Sequence, residues 1–147
     1  MKKGFLFLIP LLCLTGCEDG QKVQNDQKDQ KVLFCEMVEE SVKGTVKLSY
    51  NEDGDNLLSV DFVTTAEAED ESEKKLFVSS SESRCKRMKD SKGITCKVNE
   101  SKNTVSVNLK MTISKMTEEE KENMDINDMM NYEDAKEFYE EEGYTCK

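Results

Sequence analysis

The alternation of apolar and polar positions changes character twice along the chain. Residues 5–14, FLFLIPLLCL, form an apolar run of about ten, half of the roughly twenty needed to cross a bilayer. Residues 18–30, EDGQKVQNDQKDQ, then hold a single apolar side chain, Val23. Such a stretch buries too little surface to offset the entropy of ordering it. From residue 31 a period of two sets in. Val46, Leu48 and Tyr50 alternate with Lys47 and Ser49. Beyond the turn Asn51-Glu52-Asp53-Gly54-Asp55-Asn56, Leu58, Val60 and Phe62 alternate with Ser59 and Asp61, which predicts a β-hairpin. Ile94, Cys96 and Val98 lead through a polar turn into Val105, Val107, Leu109, Met111 and Ile113, the longest strict alternation in the chain. Each such strand offers one greasy and one wet face.

A period near 3.6 replaces it in two places. Between residues 67 and 90, Phe77, Ser81, Arg84, Cys85 and Met88 share one helical face, with acids crowding the first turns where the helix dipole favours them. Leu76-Phe77-Val78 fits a short strand equally well. Near the end, Thr117 with Glu120 has the spacing of a capping box, and Asn131 stands where an N-cap belongs before Tyr132. Ala135, Phe138 and Tyr139 share a face, and Gly143 occupies the position of a left-handed C-terminal residue. The expected fold is α+β: an antiparallel β-sheet of about four to five strands with helices packed on one face.

The segment ahead of this domain carries the clearest chemistry. Met1-Lys2-Lys3 is a basic start, the apolar run follows, and the exit is Leu14-Thr15-Gly16-Cys17. This is the build of a secretory signal, and its last four residues match the bacterial lipobox, whose cysteine thiol accepts a diacylglycerol thioether. The expectation is a signal peptide at 1–16 that is removed, a lipidated Cys17 carrying diacylglycerol and palmitate, a tether to residue 30, and one domain over 31–147. A flexible tether of thirteen residues has a root-mean-square reach of roughly 20 Å. Several acyl chains hold a protein firmly on a membrane where one does not. The expected location is therefore the cell membrane, lipid-anchored on the extracytoplasmic face.

Charge and cysteine usage sharpen this. The whole chain has a net charge of −10, and without residues 1–16 it carries 19 basic against 31 acidic residues, or −12. That excludes a nucleic-acid footprint and disfavours lying flat on an anionic bilayer. Cys13 leaves with the signal, so four cysteines remain in the domain: Cys35, Cys85, Cys96 and Cys146. Outside the cytoplasm these imply two disulfides, with three connectivities open. Cys85 and Cys96 flank a short Gly-containing turn, which makes a local bridge easy and leaves Cys35 with Cys146. A tetrathiolate zinc site would want a close Cys-x-x-Cys pair, which is missing.

No histidine occurs, which removes the commonest general base and metal ligand together. Carboxylate pairs are expected by chance among 31 acids. The turn NEDGDN lacks the twelve-residue spacing of a calcium loop. Met111, Met116, Met124, Met129 and Met130 suit the filling of a small core better than copper binding. The expectation is a protein that is not an enzyme, with no cofactor and no metal.

The lipobox LTGC, the hairpin TVKLSYNEDGDNLLSVDF, the strand TVSVNLKMTIS and the ending DAKEFYEEEGYTCK resemble the YehR-like family of small bacterial lipoproteins. The resemblance covers most of residues 40–147. It implies an α+β domain held on the membrane and brings no established activity. The ending GYTCK with an early-strand cysteine resembles members having a single long bridge, which favours joining Cys35 to Cys146. Cys85 and Cys96 look like an addition to that pattern. The functional expectation is an interaction or structural module at the envelope, with an unknown protein partner. The alternative is a small-ligand or ion-binding lipoprotein, which an open concavity lined by aromatics such as Phe62 or Tyr50 would favour and a filled core would disfavour.

Overall fold

The computed structural model describes residues 30–147. The signal segment 1–16, the lipidation candidate Cys17 and the tether as far as residue 29 lie outside the described residues. Within the domain, the chain runs β1 (Lys31–Glu39), β2 (Val42–Tyr50), β3 (Leu57–Glu67), α1 (Glu71–Arg87), β4 (Ile94–Glu100) and β5 (Thr104–Thr112). A single 3₁₀ turn (Ile113–Lys115) leads to α2 (Glu118–Asn123), a second (Ile126–Met129) to α3 (Tyr132–Glu141), and the chain closes with β6 (Thr145–Cys146). The fold is mixed α+β. Its strands form one sheet in the order β4-β5-β3-β2-β1-β6, with every neighbouring pair antiparallel.

Six strands stand where alternation suggests four to five. The additional one is β6, two residues long and too short for any period to register. It exists because Cys146 and Thr145 pair with Cys35 and Glu36 of β1. A second departure is at the β2–β3 hairpin. Alternation aims Leu58 inward with Val60 and Phe62, but a register shift between Ser49 and Tyr50 pairs Tyr50 with Leu57. A bulge of this kind reverses the side-chain parity beyond it, so Leu57 is buried and Leu58 is exposed.

The turn between those strands is built by one side chain. Asn51 Oδ1 accepts hydrogen bonds from the backbone N–H groups of Gly54, Asp55 and Asn56 at 3.0–3.1 Å. Such an Asx arrangement substitutes for a backbone turn. Gly54 adopts φ +82°, and a Cβ there would stand 3.3 Å from Cβ of Tyr132. Tyr132 N–H donates to the Gly54 carbonyl, so this tip is where the C-terminal helices are pinned to the sheet.

Alternate positions across the sheet face one core. Leu33 and Cys35 of β1, Val46, Leu48 and Tyr50 of β2, and Val60 of β3 are wholly inaccessible, and Met111 of β5 is nearly so. Ile126, Met129, Ala135 and Tyr139 from the C-terminal half complete the cluster. The Tyr50 hydroxyl donates to the Met129 carbonyl at 3.0 Å, satisfying the one polar atom of a buried ring. Tyr50 meets Tyr132 edge-on with centroids 5.8 Å apart, and Tyr139 meets Tyr144 at 5.2 Å.

Local sequence begins and ends the C-terminal helices. Glu120 N–H donates to Thr117 Oγ1 while Thr117 N–H donates to the Glu120 carboxylate, closing a reciprocal box at the start of α2. Asn131 Oδ1 accepts from Asp134 N–H at 2.9 Å to start α3. Gly143, at φ +88°, ends it. Three of the five notable methionines, Met111, Met116 and Met129, are buried in the core, and Met124 and Met130 pack against it.

Two outcomes follow from this packing. Leu48→Ala should cost about 2–5 kcal/mol in guanidinium unfolding, whereas Leu76→Ala, at a residue 68% exposed, should stay within about 0.5 kcal/mol. Burial raises the Tyr139 phenol from 10.0 to about 12, and burial also raises Tyr50. Above pH 10 the unfolded chain loses these protons before the folded one does, so stability present below pH 10 should fall as pH rises through that range. Ultraviolet titration should find both phenols ionising late and together with unfolding.

Candidate functional site

Helix α1, at seventeen residues the longest helix among the described residues, has no buried residue. Its local signals are strong. Asp70 caps it by accepting from Glu73 N–H at 2.8 Å, and the Glu73 carboxylate accepts from Glu69 N–H at 2.7 Å. Glu71 and Glu73 lie in the first turn and Arg84, Lys86 and Arg87 in the last, as the helix dipole prefers. Leu76-Phe77-Val78 is therefore helical, capped from both sequence directions. Packing, however, does little to hold the helix down.

Two specific links do so instead, both to edge strand β4. Cys85 and Cys96 form a disulfide with Cα atoms 5.1 Å apart. Lys74 Nζ lies 3.6 Å from the Glu100 carboxylate, with the lysine side chain only 15% exposed. The helix is thus fastened near each end, and the space beneath its middle stays open. A groove of about 300 Å³ lies there.

The floor of the groove is the continuation of the core face of the sheet. Phe62 stands opposite Leu109, Thr64 opposite Val107 and Ala66 opposite Val105. The β3 side chains therefore shrink from aromatic to hydroxyl to methyl towards the end of the strand. Ser80 and Ser81 face them from the helix, beside Phe77, Arg84 and Met88. Small residues opposed to small residues leave a gap that a core would fill with Leu or Phe. Val42 and Met124 complete the lining.

Arg84 is the one ionisable side chain lining the groove, and no carboxylate lines it. It is exposed at the rim, and it makes no salt bridge among the described residues. Among the described residues no group of three or more His, Cys, Asp or Glu side chains is placed to hold a metal ion. The groove can accordingly receive an apolar body and one negative charge. It offers no nucleophile–base pair.

The structure distributes the sequence-derived residues as follows. Cys17 lies outside the described residues. Cys35 and Cys146 form a disulfide directly across the β1–β6 pair, with Cα atoms 4.0 Å apart, and the backbone of Lys147 exchanges two hydrogen bonds with Phe34. Of the two aromatics singled out, Phe62 lines the groove while Tyr50 fills the core. Phe77, Ser81, Arg84 and Met88, which share a helical face in the sequence, all reach the groove. Periodicity alone marks that face as core-covering, whereas in the structure it borders a cavity. The available signal was its composition, two polar side chains on a stripe that should be apolar.

Geometry defines a class, an α+β domain with a one-sided antiparallel sheet and an apolar groove under a stapled helix. No protein-family model, no curated protein and no solved structure matches the chain. Among the described residues no helix is long and apolar enough to cross a membrane.

The two bridges make separable contributions. Non-reduced peptide mapping should recover Cys35 with Cys146 and Cys85 with Cys96. Replacing Cys85 and Cys96 together by Ser should cost about 3 kcal/mol or less and raise amide exchange within 71–87 while leaving β1 and β2 protected. Replacing Cys35 and Cys146 together should cost roughly 4 to 5 kcal/mol in the chain-entropy account.

Proposed function

We propose that this chain is an extracytoplasmic lipoprotein, moored to the cell membrane through lipid on Cys17, that works without catalysis as an interaction or structural module at the envelope. The observation that carries the reading is the order of the first seventeen residues: basic start, short apolar run, then Leu14-Thr15-Gly16-Cys17. The run is too short to span and ends at the residue type that a diacylglycerol transferase modifies. Paired cysteines in the domain fit an oxidising compartment. The likeness to YehR-like lipoproteins agrees with the same location.

A second reading, a small-ligand-binding lipoprotein, is favoured by the groove beneath α1. Its size lies at the lower edge of small-molecule pockets. Its apolar lining speaks for an organic ligand over an ion. Under this reading the tether presents a binding domain just off the membrane.

The anchor is tested by Cys17→Ala in cells that process lipoproteins. The wild-type chain should partition into detergent phase with its mass raised by lipid, and the variant should lose both properties. A variant that still acquires lipid mass would overturn the assignment.

A further inference from the structure

We propose that the groove beneath α1 binds one single-chain monoanionic amphiphile, a fatty-acid carboxylate, with Arg84 holding the head group and the sheet floor holding the chain. The inference rests on the ligand-binding reading above, and it adds the ligand's chemistry.

Three observations converge on that occupant. The floor is mostly apolar, with Phe62, Val107 and Val105 below and Phe77 above and the single hydroxyl of Thr64 between them, which suits a flexible hydrocarbon. At about 300 Å³ the space takes one slender chain and excludes a two-tailed lipid or a folded peptide segment. Charge then fixes the head. In a protein of net charge −10, the groove has an arginine at its rim, no carboxylate in its lining, and no acidic partner bonded to that arginine among the described residues. A guanidinium fork matches a carboxylate with two parallel hydrogen bonds. One arginine within so acidic a protein balances a single negative charge and leaves the second charge of a phosphate monoester unmatched. Hydroxyls of Ser80 and Ser81 on the same helix supply neutral donors beside it.

The disulfide gives the groove its fixed mouth. Because α1 has no buried residue, separation of the helix from β4 would expose the floor, and the Cys85–Cys96 bond prevents it. Binding should therefore need that bond intact.

The sequence contains no tryptophan, so Phe77→Trp in the full chain places a single, selectively excitable tryptophan on the groove wall. Reconstituted with phosphatidylcholine vesicles and titrated with sodium decanoate, this protein should give a saturable change in emission. Adding Arg84→Gln should weaken decanoate about tenfold, the scale of one charge-assisted contact, and leave decanol unaffected. Arg84 is exposed, so its replacement leaves the fold intact, which unchanged thermal unfolding will verify. Decyl phosphate should bind more weakly than decanoate. The proposal is overturned by an unsaturable decanoate response, by equal decanoate affinity with and without Arg84, or by a preference for decyl phosphate. Flotation of the same samples reads the anchor separately: protein that binds decanoate but fails to float refutes the moored lipoprotein and keeps the groove, and protein that floats without a decanoate response does the reverse.

Discussion

The domain depends on the seating of the C-terminal segment against the central strand β2. A lone antiparallel sheet with one apolar face is unstable in water until something covers that face. Here Val46, Leu48 and Tyr50 supply the stripe, and Ile126, Met129, Ala135 and Tyr139 supply the cover. The hydrogen bond from the Tyr50 hydroxyl to the Met129 carbonyl fixes the lateral position of one on the other. Ring contacts between Tyr50 and Tyr132, and between Tyr139 and Tyr144, extend the lock along the strand. Beyond β3, backbone pairing carries β5 and β4 onward, with Met111 still seated in the same core.

That leaves a molecule with two unlike halves on one sheet. Over β1 and β2 the covered face is closed to solvent at Leu33, Cys35, Val46, Leu48 and Tyr50. Over β3, β5 and β4 the cover is a largely polar helix with no fully buried residue, tied to β4 by one disulfide and one ion pair. The filled half holds most of the buried core. Altering the other half changes the lining of the groove.

Much of this was legible in the residues. Strict alternation located β2, β3, β4 and β5, and Thr117, Glu120, Asn131 and Gly143 placed the ends of the short helices through chemistry that is local and so visible in one dimension. What escaped was non-local. The two residues of β6 form a strand only because Cys35 lies opposite Cys146. Leu57 and Leu58 exchange their expected environments because of a bulge across the hairpin. The groove arises from Thr64 and Ala66 meeting Ser80 and Ser81, a coincidence of small side chains from two elements that no single window contains. Tyr50 and Phe62 read alike in sequence, and only the placement of Met129 and Met124 tells the core ring from the groove ring.

The pairing of β1 with β6 also bears on how force travels. Residue 35 is only five positions into the described domain, and the disulfide carries the chain from there straight to residue 146. A pull between residue 30 and residue 147 is thus borne by a covalent path that skips the whole interior. At most the first few residues of β1 peel from β2 before the bond tightens, and the rest of the sheet, the helices and the cavity lie off the path of the tension. In mechanical terms the domain hangs beside its own load line, like a lantern clipped to a taut cord.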